Sequence, residues 1–270
     1  MSDPFHDNVV LITGASSGIG KQLALQLADQ GAWLSLAARS EDRLLQVAAS
    51  CRERGARTLV APTDVAHEDQ CQALVERTVA EFGRLDTLIN NAGFGLHARF
   101  DELPDLRAFE QVMQVNFMGS VYCTYHALPH LMETTGRIVG ISSLAGRFST
   151  PRNTAYCASK HALTGFYDSL RNEMRRTGVT VTAVYPSFVV TEFNERLLES
   201  DGTPRGERGR QFYTKRMMTA ERCARLIIRS AAARKRQRVM TLGGKVALWV
   251  QLIAPATLDR VVRKIVRKWK

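Results

Sequence analysis

Apolar runs of strand length alternate with segments of helical period along almost the whole chain, and few folds accept that order. Residues 8–12, 33–37, 58–62, 87–90, 137–142, 180–185 and 239–242 read as strands, and residues 20–30, 41–54, 68–82, 108–132, 154–176 and 219–233 read as helices between them. Strands separated by helices are joined by crossovers, so they lie parallel, and a parallel sheet needs cover on both faces. The expectation is an α/β protein built on a doubly wound parallel sheet of about seven strands with helices on both faces. A length of 270 residues is high for one domain, but sheets of this kind reach it undivided. A single domain over 1–270 is therefore expected, with 243–270 as a C-terminal extension. Residues 195–216 break the pattern: they are polar, hold Gly202, Pro204, Gly206 and Gly209, and predict a mobile loop.

Charge is placed unevenly. Residues 229–270 hold twelve Lys or Arg and one acid, Asp259, so this segment carries the whole net charge of +11 and the rest of the chain is neutral. Whatever the basicity serves belongs to the C-terminus. The five cysteines are scattered, with no CxxC pair and no His at ligand spacing, which predicts reduced thiols and no metal site. Asp3 and Asp7 stand where an export signal would be positive, and the longest apolar run, 246–256, falls short of the ~20 residues of a membrane span. A cytoplasmic protein is the expectation.

Leu11-Ile12-Thr13-Gly14-Ala15-Ser16-Ser17-Gly18-Ile19-Gly20 sets a Gly-rich turn between a buried strand and an amphipathic helix. Any tight strand-to-helix connection uses glycine. In this context, glycines let the backbone approach a pyrophosphate held on the free N–H groups and positive end of the helix, so the sheet is expected to be Rossmann-type. At the end of the second strand stand Ala38 and Arg39 where a carboxylate would accept from the ribose hydroxyls of NAD. A guanidinium there would grip a 2′-phosphate through two charge-assisted hydrogen bonds, which points to NADP(H). The competing readings are an Arg that caps the strand or pairs with Glu41, and an NAD-preferring protein.

The spacing T-G-x-x-x-G-x-G, then Asn90-Asn91-Ala92-Gly93 after a strand, Asn116 in a helix, Ser143, and Tyr156-Cys157-Ala158-Ser159-Lys160, in that order, resembles the short-chain dehydrogenase/reductase family. The resemblance runs through almost the whole chain. It implies hydride transfer between the nicotinamide of NADP(H) and a carbonyl or secondary alcohol. It places Gly14, Ser16, Ser17, Gly18, Ile19 and Gly20 on the pyrophosphate, Arg39 at the 2′-phosphate, Asp64 and Val65 beside the adenine, and Asn90 beside the adenosine ribose. Pro186, Val189 and Thr191 would lie near the nicotinamide carboxamide, and Tyr156 and Lys160 would also touch the cofactor. Asp64 reads equally well as a turn residue. Ser187 stands where the family usually has Gly, which puts the local backbone path in question.

Reduction of a carbonyl leaves an alkoxide that needs a proton, and Tyr156 with Lys160 suits that task. Four residues apart, they share a helix face, where an ammonium close to the phenol favours the phenolate. The same pair on a surface helix would be a solvated face. Ser143, just past a strand, would hydrogen-bond the substrate oxygen; Ser142 competes for the role, but strand alternation and the interval to Tyr156 favour Ser143. Asn116 resembles the family's helix-embedded Asn, which holds a water linking Lys160 to solvent, or is a buried amide bonded to backbone.

Phe94, Leu96, His97, Phe148, Phe188, Phe193, Phe212 and Tyr213 fall in segments expected to line the site, which suggests an apolar substrate of lipid, steroid-like or aromatic kind, or else a lid packed on the core. In the C-terminal extension, Leu258, Val261, Val262, Ile265, Val266 and Trp269 form one face of a helix, with Arg260, Arg263, Lys264, Arg267, Lys268 and Lys270 opposite. Pro255 separates that helix from an apolar stretch at 246–253. Such a helix either packs on the protein or a second subunit, or lies on an anionic membrane as a peripheral contact. Nucleic acid is not expected, because no base-stacking platform accompanies the cations. A homodimer or homotetramer is the expected assembly. A protein of another class, a cofactor-binding sensor or membrane-attached scaffold without turnover, stands as the alternative.

Overall fold

The computed structural model describes residues 4–212 and 217–267. In chain order the elements are β1 (Val9–Thr13), α1 (Gly18–Ala28), β2 (Trp33–Ala38), α2 (Glu41–Arg52), β3 (Thr58–Pro62), α3 (Glu68–Phe82), β4 (Thr87–Asn90), α4 (Arg107–Met113), α5 (Gly119–Glu133), β5 (Arg137–Ile141), α6 (Thr154–Glu173), β6 (Thr180–Tyr185), β7 (Val189–Val190), β8 (Met218–Thr219), α7 (Ala220–Ala232), β9 (Gln237–Val239), α8 (Leu242–Ile253) and α9 (Pro255–Arg267). Seven strands form one sheet in the order β3-β2-β1-β4-β5-β6-β9, every pair parallel. The chain is thus a Rossmann-type doubly wound sheet, as its β-α alternation predicts.

Side chains along β1 show why the sheet is covered twice. Val10 and Ile12 enter one apolar core with Leu23 and Leu27 of α1, Val47 of α2 and Ile227 of α7. Val9 and Leu11 point the other way, into a core with Leu74 of α3, Leu131 of α5 and Leu163 and Tyr167 of α6. Period-two alternation in a run without polar residues leaves no solvated face. Strand order reverses between β1 and β4, so a crevice opens beyond their C-terminal ends.

Three expectations change. The helix expected at 108–132 is widened in the middle: α4 runs through a π turn, Gln114–Met118, into α5. The last strand ends at Val239, because Thr241 turns outward to cap α8, its hydroxyl accepting the Gly244 N–H at 3.1 Å. Residues 195–212 do not hang free as a loop would. Leu198 bridges both Leu96 and Pro204, with His97 N–H to Leu198 carbonyl at 2.8 Å and Leu198 N–H to Gly95 carbonyl at 2.9 Å, and a 3-10 segment follows over Gly206–Phe212. Backbone pairing supplies what the polar sequence lacks in apolar periodicity.

Candidate active site

Three segments meet at the C-terminal edge of the sheet. Beyond β1, Gly14 takes a left-handed φ of 66° and turns the chain into α1. A Cβ on Gly20 would fall 2.2 Å from the Gly14 carbonyl, so the turn closes only without one. Asn91, just past β4, braces it: its side-chain amide donates to the carbonyls of Thr13 (2.9 Å) and Gly14 (3.1 Å). Ser17 stands at the N-cap of α1 without a side-chain cap bond, and the first turn carries no acid. A helix N-terminus left uncapped beside a backbone cradle fits an anionic pyrophosphate. Ser16, Ser17, Gly18 and Ile19 all lie along this turn, and a Cβ on Gly18 would meet the Thr191 side chain at 3.2 Å, which brings Thr191 to the same crevice.

Arg39 is exposed at the end of β2 and makes no ion pair among the described residues, so the pairing with Glu41 is not formed. Asp64 is a turn residue: its carboxylate accepts the Ala66 N–H at 3.0 Å ahead of α3. Val65 is buried against Gly119 at the start of α5. The Asn90 side chain is buried and turns towards α5, donating to the Thr124 hydroxyl (2.9 Å) and Ser120 carbonyl (3.3 Å), so it ties β4 to α5 and leaves only its backbone to face the crevice. Pro186 is buried, its carbonyl accepting the Leu144 N–H at 3.0 Å, and Val189 pairs with Met218. Ser187 is not among the residues of positive φ, so the backbone after β6 does not require the glycine it replaces.

The chemistry-bearing groups converge from β5, the π turn and α6. Ser143 follows β5 in extended conformation, its hydroxyl accepting the Ala145 N–H at 3.1 Å and lying close enough to the Tyr156 phenol to lower its pKa. Ser142 faces the other way, donating to the Lys160 carbonyl at 3.1 Å. Lys160 is buried; its Nζ donates to the Ile141 carbonyl at 2.9 Å and lies 5.7 Å from the Tyr156 ring centroid. Burial lowers the Lys160 amine to about 8 and pushes the Tyr156 phenol up to about 12, with the Ser143 hydroxyl working against the latter shift. The phenol of the free chain is therefore a proton donor at neutral pH, and the amine is still mostly charged.

Asn116 sits in the π turn, fully buried. Its amide is held in both directions by Phe94, Oδ1 accepting the Phe94 N–H and Nδ2 donating to the Phe94 carbonyl, each at 2.9 Å, and Nδ2 also reaches the Ser159 hydroxyl at 3.0 Å. Ser159 in turn donates to the Tyr156 carbonyl at 2.9 Å. The side chain of Asn116 is a brace linking the loop after β4 to the first turn of α6. Ser159 and Asn91 both stand inside motifs whose order is informative, but nothing in one sequence marks them as braces.

Over Tyr156 lies Phe193, ring centroids 5.4 Å apart. Leu96 does not line the site: it is buried with Ala98, Val112 and Ala155, and Phe94 packs against that cluster. Phe148 packs on the core beneath α6, and Phe188 is exposed. The Phe212 side chain and Tyr213 lie outside the described residues.

A doubly wound sheet with a Gly-rich turn at its switch point and a Ser-Tyr-Lys group beside it defines a dinucleotide-dependent oxidoreductase. A family model described as short chain dehydrogenase matches residues 8–202, and the chain belongs to that family. It is similar to an 11-beta-hydroxysteroid dehydrogenase A of Sesamum indicum, 36% identical over 97% of this chain and 76% of that one. A dehydrogenase/reductase SDR family protein 7-like of Dictyostelium discoideum is 35% identical over 96% of this chain and 82% of its own. An 11-beta-hydroxysteroid dehydrogenase 1A of Arabidopsis thaliana is 43% identical over 72% of this chain, a match that spans just over half (56%) of the Arabidopsis protein. Among solved structures, a short chain dehydrogenase/reductase of Burkholderia phymatum in complex with NAD superposes with a TM-score of 0.81 at 26% identity, covering 92% of this chain and 94% of that one.

Proposed function

We propose that the chain is an NADP(H)-dependent oxidoreductase interconverting a ketone and a secondary alcohol on an apolar, hydroxysteroid-like or other lipid-like substrate. The observation that carries the chemistry is the Ser143–Tyr156–Lys160 group at the edge of the dinucleotide crevice. Bound in that crevice, the nicotinamide would supply or accept the hydride. The protein's own part is to hold the substrate and move the proton. Ser143 orients the carbonyl oxygen, and Tyr156 donates its hydroxyl proton to the oxygen as charge develops there. The Lys160 ammonium beneath the ring stabilises the phenolate left behind. Phe193 over Tyr156 narrows access and favours an apolar face of substrate.

NADP(H) is preferred over NAD(H) because Arg39 stands exposed and, among the described residues, without an ion pair where a carboxylate would select NAD. The Burkholderia protein, solved with NAD, keeps the NAD-preferring reading in play, and titration with both cofactors separates the two. The apolar substrate draws support from the names of the sesame and Arabidopsis relatives. A homodimer or homotetramer with peripheral attachment to anionic lipid completes the reading. The intact catalytic group speaks against a scaffold without turnover. NADPH consumption across a panel of ketones tests the function: turnover on an apolar ketone is expected, and Tyr156→Phe should lose it by about 10²–10⁴ while keeping cofactor affinity. Wild-type rates from Tyr156→Phe would overturn the assignment.

A further inference from the structure

The C-terminal hairpin is turned inside out. α8 (Leu242–Ile253) has two polar side chains, Lys245 and Gln251, and Gln251 lies on the half-buried side with Ala247 and Leu248 while five large apolar residues, Leu242, Val246, Trp249, Leu252 and Ile253, are exposed. Leu242 is 77% exposed, Val246 54%, Trp249 69% and Ile253 80%. Their spacing of four, three and four residues aligns them on one face, with Leu252 and Lys245 on its flank. The terminal helix α9 does the opposite. It packs on α8 and buries Leu258 and Val262, with Val261 left exposed, so of the two readings of its apolar stripe, packing describes Leu258 and Val262. Its Arg260, Arg263 and Lys264 are exposed and in no ion pair among the described residues.

We propose that the outward face of α8 docks on an anionic lipid surface, with the cations of Lys245 and α9 set around it. Four large apolar side chains on one exposed helix face form a patch that a soluble surface rarely carries without a partner. Trp beside Lys on that face is the composition of a helix lying in the headgroup layer. Charge chooses the partner. The segment 229–270 carries +11, and a second copy seated on the same face by a twofold axis would bring two such segments together, whereas anionic headgroups are attracted to it.

The location has a consequence that rests on the apolar substrate proposed above. A Cβ on Gly244, in the first turn of α8, would lie 2.9 Å from a methyl of Leu144, the neighbour of Ser143. The inner side of α8, opposite the docked face, therefore rests on the loop that carries Ser143, one helix diameter of about 10 Å from the headgroup layer, and the site would draw its substrate from the bilayer.

Co-sedimentation of the full chain with vesicles tests the docking without reference to turnover. Vesicles of phosphatidylcholine with phosphatidylglycerol should pellet the protein at least tenfold more than phosphatidylcholine alone, and high salt should release it. Trp249→Glu with Val246→Glu should abolish pelleting and leave the melting temperature and the rate on a water-soluble ketone unchanged. With an apolar ketone dissolved in the vesicles, the same variant should show a raised KM at constant kcat. Failure of the full chain to pellet, equal pelleting on neutral vesicles, or pelleting by the double variant would each overturn the docking. So would a drop from dimer to monomer in light scattering of the variant, which would make the face an interface between copies. A protein that docks but turns over no ketone would sink the proposed reaction and leave the docking standing.

Discussion

Tyr156 and Lys160 are held by groups that polarise the site before any ligand enters. The Lys160 amine has the Ile141 carbonyl as its one hydrogen-bond partner among the described residues, and burial brings it to about 8. Its ammonium is present below that pH and lost above it. The phenol, near 12, stays protonated throughout. In the direction of ketone reduction, kcat/KM for NADPH reports the free enzyme, so it should fall with unit slope above pH 8, and the group lost is Lys160. A profile flat to pH 10 would remove the ammonium from the chemistry. Arg39 offers a test of another kind, because it is exposed and free of ion pairs among the described residues. Arg39→Ala should weaken NADPH binding by about 1.5–3 kcal/mol, typical of a charged hydrogen bond, and leave NADH untouched; equal losses in titrations with the two cofactors would show that Arg39 does not read the phosphate. The residues that were legible in sequence are those whose chemistry depends on spacing along one element, such as Tyr156 with Lys160 on a helix face. The direction of the Asn90 side chain is not legible there, because it depends on α5, thirty residues away, whose Ser120 carbonyl and Thr124 hydroxyl claim it.

Elements place those side chains at working distance. Gly140 in β5 lets the Tyr167 ring lie against the strand, where a Cβ would be 2.0 Å from a ring carbon, so α6 sits close to the sheet and delivers Tyr156 to Ser143. The boundaries of β3, β4, β6 and α3 follow from sequence because runs of one period end at clear turns. The π turn at Gln114–Met118 does not, since its cause is the buried Asn116 amide engaging Phe94 rather than any break in the apolar pattern. The strap over 195–212 was illegible for a similar reason: it is held by backbone pairing to residues 95–97, a hundred positions earlier. His97 lies where that strap crosses. Burial, then the charges of Arg205 and Arg152, lower it to about 4, against an ordinary value near 6.5. The unfolded chain therefore takes up this proton first as pH falls, so the neutral His97 contributes stability that is complete above pH 6.5 and is lost as pH falls from there to 4. At ~1.4 kcal/mol per pKa unit, urea unfolding at pH 5 should show about 1–2 kcal/mol less stability than at pH 7. His97→Gln should remove that part of the slope; an unchanged slope would place the shift elsewhere.

At the scale of the whole molecule, two kinds of surface share one chain. The chain through residue 228 is electrically neutral and its sheet closes its own cores, whereas the hairpin of α8 and α9 belongs to the segment that carries the net charge, Arg229, Arg234, Lys235, Arg236 and Arg238 preceding it in α7, the turn after α7 and β9. Among the described residues neither large core includes one beyond Met240, and α9, which buries Leu258 and Val262, packs on α8. The sequence showed the charge boundary and the break at Pro255, but not which helix turns its apolar face outward, because each of the two has a stripe and only packing decides which one is covered. If the sheet is a self-sufficient domain, a chain ended at Thr241 keeps all seven strands and α1–α7. It should unfold in one cooperative step and bind NADPH as the full chain does. The loss is confined to the Gly244–Leu144 contact and the close of β9, a matter of about 1–2 kcal/mol for a partly covered apolar contact. For a body of this size each kcal/mol corresponds to roughly 2–4 °C in Tm, so calorimetry should place the shortened chain no more than about 8 °C below the full one. Loss of the cooperative transition, or of NADPH binding, would mean that the hairpin is part of the folding unit rather than an appendage to it.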